Sequence, residues 1–157
     1  MQVSIVGKNN VYFISTEFSE LFKYDLEGVL VERKVLEEDD LTKASREAYF
    51  EKGQNMPANG LYRSQEIIID AYHFNGQLYV LRKYLNNGNR DVELLVIPEN
   101  DMKTIYKYYF ESEENMGKDW LRSLCVGGPN SIMPNIYISE YDKKIEDYII
   151  KVFKEVR

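Results

Sequence analysis

The chain has 157 residues, 20 basic and 26 acidic for a net charge of -6 at pH 7, with 44% apolar and 13% aromatic residues and thirteen Tyr against one Trp. That length suits one domain able to bury about two-thirds of its unfolded surface, and the apolar share excludes intrinsic disorder. No basic block is long enough to track a phosphate backbone, so nucleic acid is not an expected partner.

In chain order, the opening "MQVSIVGKNN" lacks a basic segment followed by a seven-residue apolar run, and no apolar run approaches 18 residues. Neither an export signal nor a membrane span is expected, and the compartment stays open. From 2 to 36 the pattern reads strand, turn, strand: "VSIVG" and "VYFIS" flank "KNN", then "ELFKYD" and "VLVERKVL" flank "LEG". Each piece is short, β-branched or aromatic, and bounded by Asn, Asp or Gly, which predicts four antiparallel strands. The charged stretch from 37 to 64 opens on "EEDD", suited to a helix N-terminus, and ends in Gly, Asn and Pro; it predicts a short helix over 39–51 followed by a loop.

The first layout returns from 65 to 110. "EIIIDAYHF" and "QLYVLRKYL" flank Asn75-Gly76, a hairpin signal, while "DVELLVIP" and "KTIYKYYF" flank "ENDM", predicting four more strands. A connector follows from 111 to 133, in which 118–126 reads as a helical turn or a short strand. "NIYIS" at 135–139 is a strand. In 142–157, Ile145, Tyr148, Ile149, Val152, Phe153 and Val156 fall at helical spacing and favour an amphipathic helix, while the alternation of Tyr148, Ile150 and Val152 keeps a strand open.

The passages "VYFIS", "LYVLR" and "IYIS" share one grammar, in which a Tyr stands between apolar neighbours. Each is followed by a second apolar strand. Together they resemble the inner strands of six-bladed β-propellers of the TolB-like or NHL-like kind, which read as Asn or Gly, a spacer, then Ile/Leu-Tyr-Val. Asn75, Gly76, Leu78, Tyr79 and Val80 supply that pattern. The resemblance implies blades over 2–36, 65–110 and 118–153, although Tyr12, Tyr79 and Tyr137 lie 67 and 58 residues apart, wider than the roughly 40 to 50 of simple blade repeats. Three blades do not close a ring of about four to eight, so it also implies a second copy or a longer chain.

The expected fold is therefore mainly β and antiparallel: about three propeller-like four-stranded units with a short helical insertion, as a single domain over 1–157 or as part of a larger propeller. The alternative is a compact α+β domain with a C-terminal helix. Alternation places Tyr12, Tyr79 and Tyr137 opposite their apolar flanks, Val11 and Phe13, Leu78 and Val80, Ile136 and Ile138, and the flanks are expected in the core.

Little in the sequence points to catalysis. A single His and a single Cys leave no disulfide, no thiolate site and no His-based metal cluster, and neither a metal nor another cofactor is expected. His73 reads as a packing residue, with Asp70 and Tyr72 on one strand face and Ala71 and His73 on the other. Cys125 reads as a buried thiol beside Leu124 and Val126, not as a nucleophile paired with His73. "CVGGPNS" lacks the Lys-Ser/Thr ending of a phosphate loop, and four consecutive carboxylates at 37–40 lack the spacing of a calcium loop.

The aromatic surplus is the remaining signal. "DAYHF" at 70–74 and "YKYYF" at 106–110 place rings on both faces of their strands, more than one core layer needs, so some are expected at the surface. The candidate binding residues are Tyr72, His73, Tyr106, Tyr108, Tyr109 and the single Trp120. The expected function is a non-enzymatic interaction or scaffold domain that binds a protein partner or assembles as a homo-oligomer through this tyrosine-rich surface. The alternatives are a small ligand-binding module or enzyme with a pocket near the Gly127-Gly128 turn, and a stand-alone bacterial partner protein of the toxin-neutralising type.

Overall fold

The computed structural model describes residues 2–15, 18–36, 40–55, 67–86, 89–110, 121–128, 134–142 and 144–154. Among them the chain is mainly β, with three antiparallel meanders and one helix. The first sheet takes β1 (Gln2–Val6), β2 (Val11–Ser15), β3 (Glu20–Tyr24) and β4 (Leu30–Val35) in order. Helix α1 (Asp40–Asn55) follows, ending four residues beyond the predicted end at 51, with Asp40 in the first turn where it meets the partial positive charge of the free N–H groups.

The second sheet runs β5 (Ile68–Phe74), β6 (Gln77–Asn86), β7 (Asn89–Pro98) and β8 (Tyr106–Tyr109). Asn75 and Gly76 both take positive φ, 50° and 72°, so the hairpin turn has the conformation that the dipeptide predicts. The strand foreseen over 103–110 is shorter, because Asp101 and Thr104 belong to the preceding turn. The third sheet holds β9 (Leu121–Gly127), β10 (Asn135–Asp142) and β11 (Asp147–Phe153), ordered β11-β10-β9: three strands among the described residues where four were expected.

Two sequence readings resolve in favour of strands. The open segment 118–126 contributes β9 from Leu121, while 118–120 lie outside the described residues. The predicted C-terminal helix is corrected to β11, paired with β10 from Ile136↔Phe153 to Asp142↔Asp147. Apolar residues occupy both faces of β11, with Ile149 and Phe153 half-buried toward the interior and Tyr148, Ile150 and Val152 exposed, so two interleaved strand faces imitate the 3.6-residue spacing. The acidic residues 37–39, the loop over 56–64 and the connector segments 111–120 and 129–133 lie outside the described residues.

The three sheets stack in chain order around two apolar layers. Tyr12, Ile14 and Leu21 of the first sheet meet Leu78, Val80, Leu95 and Ile97 of the second. On the opposite side of the second sheet, Tyr79, Leu81, Leu94 and Val96 meet Leu124, Val126 and Ile138 of the third. The middle sheet is thus covered on both faces, which is why β6 and β7 read as almost unbroken apolar runs. The first strands converge: β1 and β5, and β5 and β9, approach within 8 Å between Cα atoms, closer than the roughly 10 Å of sheets packed face to face.

Tyr12, Tyr79 and Tyr137 all lie on second strands and share a direction. Tyr12 faces the second sheet and Tyr79 the third. Tyr137, opposite the buried Ile138 and paired with exposed Val152, faces away from both. The apolar flanks point the other way, toward the preceding sheet. Leu78, Val80 and Ile138 are therefore core, as expected, and Ile136 packs half-buried against it, but Val11 and Phe13 are only half-buried, because among the described residues no sheet precedes the first.

A buried ion pair lies within the middle sheet. Arg82 and Glu93 are cross-strand partners, almost wholly buried, with Nε and one terminal nitrogen of the guanidinium each 2.6 Å from the same carboxylate oxygen. Removing one partner strands a charge in a low-dielectric interior, so Glu93→Ala is expected to cost about 3 to 5 kcal/mol in urea unfolding, and the double change Arg82→Met/Glu93→Met to recover most of it. Tyr12→Ala and Tyr79→Ala, each emptying a space between two sheets, are expected to cost about 3 to 5 kcal/mol by the same measurement, against less than about 0.5 kcal/mol for Ile145→Ala in the exposed β10–β11 turn.

Candidate functional site

The densest group of polar side chains joins the first two sheets at their turn end. Glu99 follows β7, and its position is fixed by its own N–H, which donates to the Gly76 carbonyl at 2.9 Å across neighbouring turns. Its carboxylate accepts hydrogen bonds from Asn10 Nδ2 at 2.9 Å and from the Tyr12 hydroxyl at 2.8 Å on one oxygen, and lies 3.2 Å from His73 Nε2 on the other. Lys23 Nζ donates to the Glu99 carbonyl at 3.2 Å. The Tyr12 and His73 rings stack with centroids 6.2 Å apart. An open cleft of about 610 Å³ adjoins this group, lined by Lys8, Asn10, Lys23, Asn75, Pro98 and Glu99 among others. Neither Gly127 nor Gly128 lines it.

Electrostatics follow from this wiring. Burial pushes the Glu99 carboxyl up, but the hydrogen bonds from Asn10, Tyr12 and His73 outweigh it, and the group is held below its ordinary value of 4.5. Burial first, and the Glu99 carboxylate second, push the Tyr12 phenol far above its ordinary value of 10, so it remains a neutral donor at physiological pH. The carboxylate, phenol and imidazole satisfy one another, which makes the group a clamp between sheets.

His73, a candidate binding residue, is accordingly a member of this clamp, half-buried on the side of the middle sheet that faces the first. Tyr72, one residue earlier, points toward the third sheet, as alternation predicts. The Cys125 thiol, by hydrogen bond and then by charge, raises the Tyr72 phenol. The expectation of a buried cysteine is corrected: Cys125 is exposed, because it alternates with the buried Leu124 and Val126 on a side of the third sheet that no sheet covers among the described residues. His73 and Cys125 belong to opposite sides of the middle sheet, and the structure does not bring them together.

Tyr106, Tyr108 and Tyr109 stand exposed on β8, the edge strand of the middle sheet, with Tyr109 the most open at 58%. Tyr109 rests against Tyr84, its ring centroid 5.7 Å away, whereas the following Phe110 turns inward against Phe153 at 4.7 Å. Trp120 lies outside the described residues. The candidate residues therefore divide three ways: His73 in the clamp, Tyr72 between the second and third sheets, and the three tyrosines at the sheet edge. Sequence reasoning missed Glu99, whose partners are 26 to 89 residues away along the chain. Its one local signal was a carboxylate placed directly after the strand-ending Pro98.

Among the described residues no three His, Cys, Asp or Glu side chains gather as metal ligands, and no helix is long and apolar enough to cross a membrane. No family model matches the chain, and comparison with curated proteins and with solved structures gives no match.

The clamp makes stability pH-dependent in a definite direction. Because the folded Glu99 carboxyl titrates below its unfolded value, its contribution is complete above about pH 4.5 and is lost as pH falls through the folded value. Glu99→Gln is expected to flatten the acid limb of a stability-versus-pH curve measured by urea unfolding. Glu99→Ala, which leaves the buried Tyr12 hydroxyl without its acceptor, is expected to cost about 1 to 3 kcal/mol at pH 7.

Proposed function

We propose that the chain is a non-enzymatic protein-binding module made of three blade-like sheets, binding through its exposed tyrosine-rich and aliphatic strand surfaces. One observation carries this reading. Large apolar side chains stand exposed along strand faces, Tyr106 and Tyr108 on one side of β8 with Tyr109 on the other, and Tyr148, Ile150 and Val152 in a row on β11. Contiguous apolar surface rimmed by polar residues marks a place of association, and tyrosine gives large contact area at low entropic cost because only two side-chain torsions must be fixed. The shared direction of Tyr12, Tyr79 and Tyr137 supports treating the three sheets as repeats of one unit. The contacts of Tyr12 and His73 with the Glu99 carboxylate engage these groups in joining two sheets, which weighs against a catalytic role for them.

The test is site-specific photocrosslinking in the cells that make the protein. With benzoylphenylalanine in place of Tyr106, Tyr108, Tyr109, Tyr148 or Ile150 in turn, discrete protein adducts are expected from at least one row. Irradiation that yields only the uncrosslinked chain at all five positions removes the reading.

A further inference from the structure

Among the described residues the stack ends in two faces of opposite kind that no sheet covers. Each interface inside the chain joins the tyrosine side of one sheet to the flank side of the next: Tyr12 with Leu78 and Val80, then Tyr79 with Ile138. What remains is the flank side of the first sheet, bearing Val11, Phe13 and Phe22, and the tyrosine side of the third, bearing Tyr137, Ile150 and Val152. These are the two halves of a third interface of the same type, held at opposite ends of one molecule.

Both faces have interface chemistry. On the first sheet Val6 is 75% exposed and Leu30 and Val35 are open, while Phe13 meets Tyr24 edge-on. Its charges, Arg33 and Glu20, pair with each other at 3.0 Å, and the Arg33 guanidinium lies over the Phe22 ring. On the third sheet Ile150 is 70% exposed, and the outward positions of β10 and of its partner strand, from Asn135 and Tyr137 to Tyr148 and Val152, include no charged residue. Glu20 also has Arg46 of α1 at 3.9 Å, so the strand charges of this face are engaged, and in a chain that is 29% charged such sparsely charged faces match the charge-depleted centre of protein interfaces.

Geometry selects the occupant. Because β5 converges on both β1 and β9, the two interfaces pinch along the same side and the sheets fan about an axis beside their first strands. A fan that continues in one direction closes, and sheets arranged radially around a channel number about four to eight. One copy, with three sheets, falls short, and three copies overshoot. Two copies fall within the range. We infer that the chain forms a twofold dimer in which the flank side of the first sheet of each copy packs on the tyrosine side of the third sheet of the other, closing a ring of twice three sheets. This rests on the protein-binding reading above and names its partner as a second copy of the chain.

Sedimentation equilibrium of the full chain tests it. The expected mass is twice 18.5 kDa and does not change over a tenfold rise in concentration. Val6→Lys on one face and Ile150→Lys on the other are each expected to abolish the dimer while retaining the wild-type far-ultraviolet circular dichroism. An equimolar mixture of the two variants is expected to regain it in part, since one of the two interfaces then joins unaltered faces. Benzoylphenylalanine at position 150 is expected to label residues 2–36 of the other copy, a result that stands even if a lysine variant does not fold. A monomeric wild type overturns the inference, as does a mass that climbs with concentration, a dimer broken by only one of the two variants, or labelling confined to residues 121–154. A monomer that still forms photo-adducts with a different protein removes the dimer and leaves the binding module standing.

Discussion

Everything in this molecule depends on the burial of the middle sheet from both sides. In β6 and β7, even and odd positions alike are apolar, so the two strands have no face to offer water. A single partner sheet would leave Tyr79, Leu81, Leu94 and Val96 wet. At about 25 cal/mol per Å² of apolar surface, that is a large loss for a domain whose net stability is small. Two covering sheets are the least the sequence can accept. The first and third sheets are under no equivalent demand, and their strands alternate between a packed face and an open one. The difference between the centre and the ends of the stack is thus written in the hydrophobic pattern of each strand.

The turn-end clamp is the polar counterpart of this packing. Apolar contact between sheets is non-directional and would tolerate sliding, whereas a carboxylate that receives Asn10, Tyr12 and His73 fixes two sheets in one register. It sits where three turns meet, at the rim of the apolar layer, so the carboxylate keeps some contact with solvent and avoids the full cost of burying a charge. The Arg82–Glu93 pair makes a different compromise. It is almost wholly buried, and the two charges face each other there at 2.6 Å.

Much of the fold was legible in the sequence because the meanders are local. Turn chemistry at Asn75-Gly76, alternation in 11–15, and the apolar runs over 78–82 and 91–98 locate strands whose partners are their chain neighbours. The end of the chain misled for a physical reason. A strand with apolar residues on both faces produces helical spacing by coincidence, and pairing with β10 decides the matter. The exposure of Cys125 was likewise invisible, since alternation says which residues share a face but not which face is covered. For the same reason the tyrosines of 106–110 were readable as surplus, but their place on an edge strand was not. Glu99 was hidden most completely, because its role exists only after two distant segments fold against it.

The meander wiring also dictates an order of events during synthesis. Each sheet closes through hairpins between neighbouring strands, so the first can form while the second is still emerging, and the second can dock on it at once. The middle sheet is then complete on one side only. Until β9, β10 and β11 leave the ribosome, the surface of Tyr79, Leu81, Leu94 and Val96 is an open greasy plate on a nascent chain. The interval lasts for the passage of more than 40 residues, from Tyr109 to Phe153, about 2 to 9 seconds at ordinary elongation rates of about 5 to 20 residues per second. During that interval the exposed plate is open to aggregation, and a pause in translation after the β8 codons would prolong it.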